Sequence, residues 1–134
     1  MLLAAVLSAA LVLVLFLFNT QSPSSAAAEF MSALAKQDID QLTELSTLHD
    51  ESPDQIREAW KKTFDLSKHY LFVWEITSTD VSGDSASVKL TVLRNAARQM
   101  AYQENYALVL VRTDGKWKVD VTQIPRAMFP NLPR

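Results

Sequence analysis

The stretch LVLVRTDGKWKVDV, residues 108–121, decides the fold. Leu108 and Leu110 share one face of an alternating run, the period of two that a half-buried strand requires. Asp114-Gly115 interrupts it, and glycine accepts the positive φ of a type I′ turn, so two residues suffice for a hairpin. The spacing predicts strands over Met100–Thr113 and Lys116–Ile124. Upstream, Tyr70, Phe72, Trp74 and Ile76 alternate with Leu71, Val73, Glu75 and Thr77. Ser82-Gly83-Asp84 makes a turn, and Ala86, Val88, Leu90 and Val92 mark a further strand, followed by a longer connection at Asn95–Gln99. Connections this short force an antiparallel meander.

Ahead of the strands the period changes to three and four. Ser52-Pro53-Asp54-Gln55 combines an N-cap serine, proline in the first helical position, an acid in the first turn and glutamine at N3. Behind it Ile56, Ala59, Trp60, Thr63, Phe64 and Ser67 form one stripe. Asp38 with Gln41 resembles a capping box for a helix over Ile39–Leu45, burying Ile39, Leu42 and Leu45. Ala27, Phe30, Met31 and Leu34 give a first helix over Ala26–Lys36. Helices followed by a meander imply an α+β fold, with the helices packed on a curved antiparallel sheet.

Of the 134 residues, 1–18 read MLLAAVLSAALVLVLFLF, without one charge. At ~1.5 Å per residue the run Leu2–Phe18 spans ~25 Å, near the minimum for a bilayer. It has no basic n-region, and its best small-x-small site, Ala26-Ala27-Ala28, falls in the first helix, so a retained transmembrane signal anchor is expected rather than a cleaved leader. The expected organisation is an anchor over 1–18, a linker over 19–25, one domain over 26–124 and a Pro-rich apolar tail over 125–134.

Composition excludes several chemistries. Thirteen Lys+Arg against fifteen Asp+Glu leave no basic field for nucleic acid. The absence of cysteine removes disulfides, thiolate metal sites and thiol nucleophiles. Both glycines are used in turns, so no phosphate-cradling loop exists. His49-Asp50-Glu51 with Asp54 are near-consecutive loop residues that do not converge on a metal, and His69 suits a helix C-terminus. No metal and no cofactor are expected.

The order of elements, carried by AAAEFMSALAKQDIDQLTEL, SPDQIREAWKKTF and LVLVRTDGKWKVDV, resembles the nuclear transport factor 2-like superfamily over about residues 24–125. Its members include ketosteroid isomerases. The family often has a short strand between its second and third helices, for which Leu45–Asp50 offers only a weak candidate. The resemblance implies a concave sheet closed by helices, often around a pocket, but no particular activity. Membrane-anchored relatives commonly serve as accessory or assembly subunits of membrane machines.

If the isomerase comparison holds, an acid must face inward. Glu104, between Tyr102 and Tyr106 on the Leu108/Leu110 face, is the first candidate, with desolvation raising its pKa. Glu75 is the second. The alternative is that Glu104 pairs with Arg94 or Arg98 across the strands. Aromatic residues including Trp60, Trp74 and Trp117 either line a lipophilic pocket or pack the core. In the tail, Ile124, Met128, Phe129 and Leu132 either fold back over the domain or bind a partner.

The main functional expectation is a non-catalytic, single-pass accessory subunit of a membrane protein complex. The expected membrane is a bacterial inner membrane, with the domain on its periplasmic side. The alternative expectation is a binder of small lipophilic molecules, or an isomerase- or cyclase-like enzyme using a pocket carboxylate.

Overall fold

The computed structural model describes residues 21–66, 73–94 and 102–134. Helix α1 (Pro23–Lys36) is capped by Ser22, whose Oγ accepts from the Ser25 N–H at 3.1 Å. It begins inside the stretch read from sequence as a linker: Ser22-Pro23 is the same cap-plus-proline start that opens the third helix. It ends at Gln37, whose left-handed φ of 56° turns its N–H back onto the last-turn carbonyls. Asp38 then caps α2 (Ile39–Leu45), its Oδ1 accepting from Gln41 N–H at 3.2 Å. Helix α3 (Pro53–Leu66) starts on a reciprocal capping box: Gln55 N–H reaches Ser52 Oγ at 3.4 Å, and Ser52 N–H reaches Gln55 Oε1 at 2.8 Å.

The strands are β1 (Ser46–Thr47), β2 (Val73–Ser82), β3 (Ser85–Arg94), β4 (Tyr102–Thr113) and β5 (Lys116–Asp120), in the spatial order β1-β5-β4-β3-β2. Asp114 and Gly115 both have positive φ, 52° and 76°, as a type I′ turn demands. The expectation of a purely antiparallel sheet is corrected. The sheet is open and mixed, because the two residues leaving α2 are extended and pair parallel to β5, Ser46 with Val119 and Thr47 with Asp120. In β2 the register shifts between Ile76 and Ser78, a bulge that turns the edge strand. Arg112 fastens two hairpins together: its guanidinium donates twice to Asp84 Oδ1, at 2.9 and 2.8 Å, and lies over the Trp117 ring.

The helices cover one sheet face. Ala86, Val88, Leu90, Val92, Leu108, Leu110, Trp117 and Val119 point at them, and Phe30, Met31, Leu34, Leu42 and Trp60 point back. Trp60 is fully buried. It meets Phe30 edge-on, stacks on Phe64 with centroids 5.8 Å apart, and donates Nε1–H to Ser46 Oγ at 3.2 Å.

One sequence expectation changes here and one alternative is decided. Of the two courses the sequence left open for Ile124, Met128, Phe129 and Leu132, the structure has the fold-back: all four are buried in the chain's own core. The membrane-anchored form of the fold is also set aside. Among the described residues no helix is long and apolar enough to cross a membrane. The stretch 1–18 on which the anchor rested lies outside the described residues, as do His69, Tyr70, Phe72 and Arg98.

Candidate functional site

Alternation along β4 sends Glu104 and Tyr106 to the helix-side face, and the same alternation in β3 sends Arg94 there. Antiparallel register sets Val92 opposite Glu104 and Arg94 opposite Tyr102, which brings the Arg94 side chain within reach of the carboxylate. Arg94 Nε–H donates to Glu104 Oε2 at 2.7 Å, and the Tyr106 hydroxyl donates to the same oxygen. The Arg94 and Glu104 side chains are 27% and 30% exposed. Tyr102, by contrast, stands half-exposed at the strand's beginning; the phenol on Glu104 is that of Tyr106.

This arrangement reverses the expected pKa of Glu104. The Tyr106 hydrogen bond first, and then the Arg94 hydrogen bond and charge, favour the ionised form more than partial burial disfavours it, so its pKa lies below the usual glutamate value. Tyr106 moves upward, chiefly from burial and then from its bond to the carboxylate. Burial would lower the Arg94 guanidinium, but the hydrogen bonds to Glu104 and Tyr106 outweigh it and leave it raised. A general base works best with a pKa near the operating pH. Glu104 is instead a fixed anion in a structural pair. Glu75 sits opposite Thr91 on the other face of the sheet, exposed to solvent. The two carboxylates therefore do not share a site.

Arg94 has a second task. Its Nη2 donates to the main-chain carbonyls of Ala127 at 3.0 Å and Met128 at 2.7 Å. Arg134 donates to those of Ile124 at 2.9 Å and Phe129 at 3.2 Å, which folds the tail on itself. Burying each apolar tail side chain contributes about 1.5–3 kcal/mol. Ordering the backbone costs about 1–2 kcal/mol per residue, less at prolines whose φ is already fixed. The Arg94 bonds add to the apolar burial that opposes this ordering cost.

One pH effect follows from the lowered Glu104 pKa. The contribution of this pair is complete above the unfolded glutamate pKa of about 4.3 and is lost as pH falls through the lower native value. Tail protection against proteolysis is expected to fall on acidification below about pH 4. Glu104→Gln should flatten that dependence; an unchanged acid profile would refute the assignment.

The outward face of the same strands carries a different feature. Thr77 of β2, Lys89 and Thr91 of β3, and Asn105, Ala107 and Val109 of β4 floor an open groove of about 730 Å³, which Gln123 and Pro125 bound beyond the end of β5. This lies within the size range of small-molecule sites. Its walls combine apolar surface with hydroxyl, amide and ammonium groups, a composition suited to a compact ligand with one polar edge. Thr77 already donates its hydroxyl to the Lys89 carbonyl at 3.3 Å, Gln123 Nε2 donates to Asp120 Oδ2 at 2.9 Å, and the Lys89 ammonium lies 3.9 Å from an Asp80 carboxylate oxygen. The polar groups offered to a ligand are therefore first those of Thr91 and Asn105, with the Gln123 amide oxygen beside them. Sequence reading did not find this groove. The available signal was the run Asn105, Ala107, Val109, which is uncharged at outward positions where a solvated strand commonly carries charge. Among the described residues no group of acidic and histidine side chains is placed to hold a metal ion.

No family model matches the chain, and no curated protein matches it. Solved structures do. A domain from Thiobacillus denitrificans, provisionally described as a calcium/calmodulin-dependent protein kinase type II association domain, matches with a TM-score of 0.54 at 11% identity, over 73% of this chain and 89% of that one. A protein from Streptomyces avermitilis, provisionally described as a dehydratase of the NTF2-like family, matches with a TM-score of 0.51 at 15% identity, over 76% and 91%. A chain described as Rd1NTF2_04 with long sheet matches with a TM-score of 0.51 at 20% identity, over 74% and 95%. At these identities the likeness is one of fold: the fold resembles the NTF2-like superfamily.

Proposed function

We propose that this chain is a small-molecule-binding domain whose site is the open groove on the outward sheet face, lined by Thr91, Asn105, Ala107, Val109, Gln123 and Lys89. The observation that carries the reading is the groove itself: about 730 Å³ of mixed apolar and hydrogen-bonding surface on a rigid strand floor. Its ligand is a compact apolar body with one hydrogen-bonding or anionic edge, the edge directed to the Thr91 hydroxyl and the Asn105 amide, with the exposed Lys89 ammonium, shared with Asp80, at the rim. Binding is favoured over catalysis because the best carboxylate, Glu104, is already engaged by Arg94 and Tyr106. The membrane-subunit expectation is withdrawn: it rested chiefly on the anchor and the apolar tail, and among the described residues no helix is long and apolar enough to cross a membrane, while the tail's apolar side chains are buried in the chain's own core.

Thermal-shift screening of small aromatic and aliphatic acids on the full chain tests the reading, with Ala107→Trp as the blocking variant. Ala107 is on the outward face, opposite Lys89, so a larger side chain there fills the groove without entering the core. A ligand found in the screen should bind Ala107→Trp at least tenfold more weakly, about 1.4 kcal/mol. Unaltered affinity would exclude the groove as the site.

A further inference from the structure

The tail and the groove share residues. Gln123 and Pro125 bound the groove at the point where the tail leaves the sheet, while three and four residues beyond Pro125, Met128 and Phe129 are buried in the core. The segment crosses from one side of the molecule to the other within a few residues. Met128 and Phe129 N–H both donate to the Pro125 carbonyl, at 3.0 and 3.3 Å, so the groove-side residue and the buried residues form one tight turn. Arg94 holds that turn through the Ala127 and Met128 carbonyls. The segment lies outside β1–β5. Its burial, its internal turn and the Arg94 contact therefore change together.

From this we infer that residues 125–134 are a releasable strap, latched by Arg94, whose docking sets the far wall of the groove, so that strap docking and groove occupancy favour each other. The linkage rests on the groove being the ligand site. A ligand touching Gln123 and Pro125 binds the docked form better, and by reciprocity holds the strap down. Arg94 is a positioning residue here, acting on the groove through the turn at Pro125.

Amide exchange on the full chain, followed by mass spectrometry, tests the latch without any ligand. In Arg94→Gln, exchange across 125–134 should accelerate at least tenfold while the β3 and β4 amides keep their protection. Arg94→Lys should fall between, because lysine keeps the charge and loses the forked geometry. If Arg94→Gln leaves too little folded protein, Arg94→Gln with Glu104→Gln removes both charges of the pair together and is read in the same way. Unaltered strap exchange overturns the latch, and so does acceleration spread equally over strap and sheet. Linkage is then read with 2-naphthoate, a compact aromatic acid of the size the groove admits. It should bind Arg94→Gln several-fold more weakly than the parent and should slow strap exchange in the parent. Equal binding to both, with the strap released, overturns the linkage. Binding to the parent that Ala107→Trp leaves unaltered instead overturns the groove reading, and the ligand-free exchange result still decides the latch.

Discussion

Trp60→Ala is expected to lower folding stability by about 3–5 kcal/mol, read as a shift in the denaturant midpoint with an unchanged slope. The indole is buried where three elements meet: Phe30 of α1, Phe64 of its own helix and Ser46 of β1. Truncation removes the packing and leaves a cavity. It also leaves the Ser46 hydroxyl, in a residue that is itself buried, without the indole N–H. Losing one buried hydrogen-bond partner costs about 1–3 kcal/mol by itself. Trp60→Phe separates the two effects, since it keeps most of the volume and loses the N–H; its cost should lie in that smaller range. A loss below about 1 kcal/mol for Trp60→Ala would mean that the helix layer is not organised around this side chain.

Phe129→Ala should match it in size, about 3–5 kcal/mol at most, but with a different signature. Phe129 is buried in a segment outside the strands, beside the turn that Arg94 grips. Once its ring is removed, the remaining tail burial no longer offsets the entropy of ordering the segment. The tail then undocks before the rest unfolds. Global unfolding of the variant exposes less new surface, so the denaturant slope falls together with the midpoint. An unchanged slope would show the tail leaving only with the whole fold.

Legibility from sequence followed local rules. The Ser52-Pro53 start, the Asp38 cap and the Asp114-Gly115 turn depend on residues within four positions of each other, and each stands where the pattern placed it. Ser22-Pro23 obeys the same rule and was obscured by its serine-rich surroundings, which read as linker composition. What did not read was non-local. The parallel pairing of β1 is fixed by space left beside β5 rather than by two residues of sequence. The inward direction of Glu104 follows from alternation, but the sign of its pKa shift required knowing that Arg94 and Tyr106 both reach one oxygen. Proline spacing indicated that the tail forms neither helix nor strand, yet not whether its apolar residues face inward. The groove depends on where Gln123 and Pro125 fall relative to three strands, a relation no single stretch contains.

The pairing of β1 with β5 has a consequence for the order of folding. β2, β3, β4 and β5 each pair with a neighbour in sequence, so the described meander is assembled by comparatively short closures. Ser46 and Val119 come from opposite ends of the domain, and joining them closes a loop containing most of it. Such a contact forms late, because the entropy of closure falls only after the intervening chain has condensed. The two-residue strand thus acts as a closing fastener, drawing the helical layer onto a sheet that is already built.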